Sequence, residues 1–136
     1  MDTSFLMPSL FGAALAGVAA AVQLRVAPGR IANAGHFALG MILALYIGAR
    51  LASGPLSAVL AECAFASGML IASFASLRLW PKGVGVIIVA HGIYDQLFAH
   101  DAGMPDWYPP FCLGVDVVLG LAILVWASGR PTQAQS

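Results

Sequence analysis

Charge is scarce in this chain. Six basic and six acidic residues make up 9% of 136 residues, where a soluble domain usually carries about 25%. A water-soluble protein of this size needs a polar shell, and so few charges cannot supply one. The net charge is zero and the basic residues are scattered. No basic stripe exists to neutralise phosphates, so nucleic acid is excluded as a partner. Cysteine is equally sparse. Cys63 and Cys112 both lie in apolar segments, which excludes a secreted disulfide scaffold and a CxxC pair. There is no HExxH, no phosphate-cradling glycine loop, and no histidine near Ser57 or Ser67 to nominate a nucleophile. No positive residue precedes the first apolar run, Leu6 to Val26. That run is also too long and too evenly apolar for a cleaved signal, so we expect a retained span.

What the chain does have is apolar length. Its 60% hydrophobic content falls into five runs, at residues 7–24, 34–51, 56–77, 84–99 and 111–128. Each comes near the length needed to cross about 30 Å of hydrocarbon. Backbone polar groups must be satisfied within each crossing, so helices are the element to expect. The predicted fold is all-α, a single domain over residues 1–136 built as an integral membrane bundle of five transmembrane helices. Pro28 and Gly29, Ser53-Gly54-Pro55, Pro81 to Gly83 and Pro109-Pro110 punctuate the runs. Pro55 and Pro110 are placed to open helices. The fourth run is the shortest and the least certain crossing by length. In the first, Gly12, Ala16 and Ala20 line one face, and Ala13, Gly17 and Ala21 line its neighbour. So few large side chains allow close helix packing, either as scaffold or against a second copy in a homo-oligomer.

The basic residues give an orientation. Arg25, Arg30, Arg78, Lys82 and Arg130 fall on one side of a five-span arrangement and Arg50 alone on the other. The positive-inside bias then puts the N-terminus outside and the C-terminus in the cytoplasm. The predicted location is a bacterial inner or cytoplasmic membrane, with membrane lipid as an unavoidable partner.

The polar residues within the spans carry the functional argument. The fourth run, VGVIIVAHGIYDQLF, places His91 and Asp95 on one helical face. Glu62 on the third run and Asp116 on the fifth each lie roughly 9 Å below the outer boundary at 1.5 Å per residue. Asp95 lies about 6 Å from that boundary and His91 about 6 Å deeper. Arg50 sits at the boundary itself, so five ionisable groups are expected in the outer half of the bundle. Facing lipid, each buried charge would cost roughly 2.5–3.5 kcal/mol, and the three carboxylates together about 8–10 kcal/mol. They are therefore expected to face one another.

Three chemistries fit that set. In the first, Glu62, His91, Asp95 and Asp116 bind a divalent transition metal such as zinc, iron or manganese, with oxygen and nitrogen ligands from facing helices. In the second no cofactor is required. A protonated Glu62 or Asp116 donates, while His91, oriented by Asp95, accepts a proton. Arg50, Tyr46 and His100 would then orient a hydrophobic small molecule. Isomerisation, cyclisation or ring opening of a lipid-like or isoprenoid-like substrate fits this arrangement. In the third, the same residues pass protons or ions, with His36 as a distant inner station in a small transporter or channel subunit. A noncatalytic assembly protein for a larger membrane complex is a further reading. Against all of these stand plain structural roles: an Arg50–Glu62 ion pair, His91 and Asp95 in a structural interhelical bond, Asp116 as a lone interior group, His36 at a helix start, and the cysteines as packing residues. The intramembrane enzyme is the preferred expectation.

Overall fold

The structure is a computed structural model, and it describes residues 3–98 and 103–127. His100 and Arg130, both part of the sequence-based reading, lie outside the described residues.

Among the described residues the protein is entirely helical. α1 is Thr3–Val26, α2 is Ile31–Ser53, α3 is Leu56–Leu79, α4 is Gly83–Phe98 and α5 is Tyr108–Trp126. A short 3-10 turn, Pro28–Arg30, joins α1 to α2. The prolines act as their ring geometry dictates. Pro55 holds an extended backbone at the N-cap of α3, and the Pro109-Pro110 pair fills the first turn of α5, where missing N–H groups cost nothing. Four helices, α1, α2, α3 and α5, are long and apolar enough to cross a membrane; α4, at 16 residues, is shorter.

The helices alternate in direction. Arg50 near the end of α2 meets Glu62 near the start of α3. Phe65 of α3 stacks on Tyr94 of α4, with ring centroids 3.8 Å apart. Gly92 of α4 faces Asp116 of α5, while Gly85 faces Gly120. α1 lies parallel to α5, with Gly12 against Phe111 and Gly17 near Val118. The Gly12-Ala16-Ala20 face of α1 is buried within the chain. At Gly12 and Gly114 a β-carbon would run into the backbone of the facing helix. This first stripe of small residues therefore acts as scaffold.

The core is narrow. Ile31, Leu39, Leu43, Val84, Ile88 and Ile123 are fully enclosed along the axis. Around them, large apolar side chains face outward on every helix, including Leu15, Phe37, Met41, Leu60, Ile71, Ile93 and Val125. Water would penalise that surface heavily, whereas hydrocarbon does not. Trp80 and Trp126 at one end, and Trp107 at the other, are half-exposed, as interfacial anchors are. The protein is an all-helical integral membrane bundle.

Candidate functional site

The polar interior lies at the end of the bundle where α2 and α4 finish and α3 and α5 begin. It is built outward from α4. His91 and Asp95 are four residues apart on the buried side of that helix, and α5 brings Asp116 alongside them. Gly92 makes that approach feasible, since a β-carbon there would stand 2.9 Å from the Asp116 β-carbon. Any larger residue would hold α5 away from His91.

The result is a sealed cluster. His91, Asp95 and Asp116 are each 1% exposed or less. His91 Nδ1–H donates to Asp116 Oδ2 at 2.9 Å. The other ring nitrogen, Nε2, faces Asp95 Oδ1 at 3.5 Å, beyond ordinary hydrogen-bond length. One ligand atom from each of the three residues can be chosen so that all lie within 4.8 Å of one another. A buried His/Asp cluster able to coordinate a metal ion thus sits inside a bundle of membrane length.

Orientation of the imidazole falls to Asp116, not to Asp95. Two side chains one turn apart on the same helix run side by side, and the aspartate arm is too short to close the gap to the ring. A carboxylate from the antiparallel neighbour meets the ring directly. Only interhelical packing reveals that relation.

Tyr46 of α2 completes the wall, its ring edge-on to His91 at 5.8 Å and near Tyr108 at 5.8 Å. Tyr108, with Met104 from the α4–α5 connection, packs over it. The Tyr46 hydroxyl lies on the Asp95 side of the chamber but makes no hydrogen bond of ordinary geometry. Both Asp95 oxygens, Asp116 Oδ1 and the Gln96 amide nitrogen are also buried without a hydrogen-bond partner.

Glu62 stands outside the 4.8 Å group. It is buried on α3, with Oε2 3.6 Å from Arg50 Nε, and Arg50 is 14% exposed. That ion pair joins α2 to α3 beside the cluster. His36 shares a hydrogen bond of 2.9 Å with the buried Ser73 hydroxyl, tying α2 to α3 in the other half of the bundle. Cys112 is buried and Cys63 partly so, both as free thiols.

Sequence reasoning did not place Gln96 or Tyr108 at the site. Gln96 directly follows Asp95, and its amide is a signal that a search confined to titratable groups passes over. Tyr108 reads from sequence as an interfacial anchor and becomes a wall residue only when α5 packs on α2. Beside the cluster, an open groove of 880 Å³ runs between the starts of α1 and α5 and the end of α4. Its lining includes Phe5, Met7, Pro8, Gln96, Trp107 and Pro110.

Comparison with the models of known protein families, with curated proteins and with solved structures finds no match to this chain.

Proposed function

We propose that this protein is an intramembrane enzyme performing acid–base chemistry on a hydrophobic, lipid-like or isoprenoid-like molecule. In this reading all five helices cross the bilayer with the N-terminus outside, because Arg25, Arg30, Arg78 and Lys82 gather at the end opposite the cluster. His91 is the general base. Asp116 positions its ring and stabilises the imidazolium that forms on proton uptake, the role a carboxylate plays in hydrolase triads. Asp95 Oδ1 faces the other ring nitrogen at 3.5 Å, and the Tyr46 hydroxyl lies on the Asp95 side of the chamber. Glu62 and Arg50 set the field at the rim. The low dielectric of the site strengthens each of these electrostatic effects on the reacting atoms.

One observation carries the reading. A bond whose only task was to join α4 to α5 would satisfy its own polar atoms. Here both Asp95 oxygens, Asp116 Oδ1 and the Tyr46 hydroxyl are buried beyond what that bond uses. A polar interior richer than one hydrogen bond requires is what a reactive chamber needs and what a plain joint between two helices does not. The neighbouring groove, apolar along Phe5, Met7 and Pro8 and polar at Thr3, Ser4, Gln96 and Asp106, suits approach of an amphiphile from the outer side, though the cluster itself does not line it.

The test is comparative lipid mass spectrometry. Membranes of cells expressing the wild type are compared with those expressing His91→Ala at matched protein level. We expect one hydrophobic species to accumulate in the variant and a second to disappear. An equal mass would indicate isomerisation or cyclisation, and a difference of the elements of water would indicate ring opening. Identical lipid profiles, together with no conversion of added lipid extract by purified wild-type protein, would remove the enzyme reading.

A further inference from the structure

We infer that the His91–Asp95–Asp116 cluster is a mononuclear site for a divalent transition metal, with His91 Nε2 and the Asp95 carboxylate as ligands and Asp116 as the positioning carboxylate behind the imidazole. The inference goes beyond the acid–base reading and does not rest on it, since an ion on Nε2 takes the lone pair that the general base would use and makes His91 a ligand in its place.

Two spacings on the same ring divide the roles. At 2.9 Å, Asp116 Oδ2 is at hydrogen-bond distance from Nδ1, which assigns the proton to Nδ1 and leaves the lone pair on Nε2. That is the carboxylate–histidine arrangement that fixes tautomer and ring direction behind a metal ligand. At 3.5 Å, Asp95 Oδ1 is too far from Nε2 for a good hydrogen bond. A shared ion accounts for this distance. Two bonds of about 2.1 Å meeting at a tetrahedral angle separate their donor atoms by about 3.4 Å.

Independent support comes from the unpaired atoms. Both oxygens of Asp95, a residue with 0% exposure, lack a hydrogen-bond partner, as do Asp116 Oδ1 and the Tyr46 hydroxyl. An ion bound between Nε2 and Asp95 engages the first of these, and water on the same ion can bond to the others. Two protein ligands leave coordination positions for water or substrate, as catalytic sites do. The imidazole disfavours magnesium and calcium, which take oxygen ligands, and the nitrogen–oxygen set suits zinc, iron or manganese. Glu62, engaged with Arg50, lies outside the ligand set.

The experiment strips purified, detergent-solubilised protein with a chelator and titrates it with Co²⁺ and Zn²⁺. Size-exclusion profile and thermal melting verify that each sample stays folded. The wild type should bind one ion per chain, and X-ray absorption at the zinc edge should show one imidazole with oxygen neighbours and no sulfur. Asp95→Asn and His91→Ala should abolish stoichiometric binding, while Asp116→Asn should retain it with affinity weakened about 10–100-fold. Folded wild-type protein that binds neither ion overturns the proposal, and so does a sulfur neighbour or Asp95→Asn binding as tightly as the wild type. Because the titration and the absorption spectrum use the wild type, they decide the matter even if a variant fails to fold. Stoichiometric metal without any lipid conversion would leave this site standing and remove the enzyme. Lipid conversion by folded wild-type protein that binds neither ion would keep the enzyme and remove this site.

Discussion

Gly92 and Asp116 face each other across the α4–α5 contact so closely that a methyl group on the glycine would stand 2.9 Å from the aspartate β-carbon. The hydrogen bond that orients His91 depends on this approach. Gly92→Ala should push the two helices apart at the level of the cluster. Overpacking of this kind costs about 1–3 kcal/mol, and here it would also lengthen the His91–Asp116 bond. We expect a lower melting temperature in detergent together with loss of lipid conversion. A variant of wild-type stability and full conversion would show that this close approach is dispensable.

Asp116→Asn isolates the positioning role. The amide keeps the shape of the side chain but removes the charge that favours the imidazolium. Conversion should fall steeply while substrate affinity changes little, because the lost interaction strengthens only as the ring takes up a proton. The measurement is the rate at saturating and at limiting substrate. A rise in KM with kcat preserved would instead make Asp116 a binding residue.

The Arg50–Glu62 pair calls for a stability test. Arg50→Ala leaves a carboxylate buried without its cation, a loss of about 3 kcal/mol for a pair whose arginine keeps some exposure. The double replacement Arg50→Met with Glu62→Gln removes both charges and should recover most of that. Unfolding in detergent would decide between this and the alternative, in which the double variant is no better than the single one.

Orientation can be read chemically. In a Cys63→Ala, Cys112→Ala background, Asp106→Cys should react with a membrane-impermeant maleimide applied to intact cells or spheroplasts. Gly29→Cys should react only after the membrane is opened. The opposite pattern would reverse the proposed topology, and labelling of both from outside would mean that the number of crossings is not five.

Much of this organisation is legible in the residues themselves. Apolar runs longer than any soluble helix requires identify the membrane helices, and Pro55 and Pro109-Pro110 mark where two of them begin. The His91–Asp95 spacing places both groups on one face, because the helical repeat dictates it. What the repeat cannot supply is the partner on another helix. Asp116 as the group that orients the ring and Tyr46 as a wall depend on how helices rotate against one another, whereas the Arg50–Glu62 pair is readable from Arg50 ending one run and Glu62 lying early in the next. The small residues that set that rotation, Gly12, Gly92 and Gly114, carry no side chain from which a direction can be read. The start of α5 also differs, lying at Tyr108 rather than at residue 111, because prolines are accommodated inside a first helical turn as readily as before it.

Over the described residues α4 is the shortest α-helix of the bundle, at 16 residues, or about 24 Å of helix. Hydrocarbon about 30 Å thick cannot be matched by that length, and lipid around a short crossing responds by thinning. In the five-span arrangement the pinch falls beside the helix that carries His91 and Asp95. In that arrangement headgroups and solvent would be drawn inward at this one sector of the perimeter, and the acyl-chain length of the surrounding lipid would become a control on how readily the enclosed groups are reached.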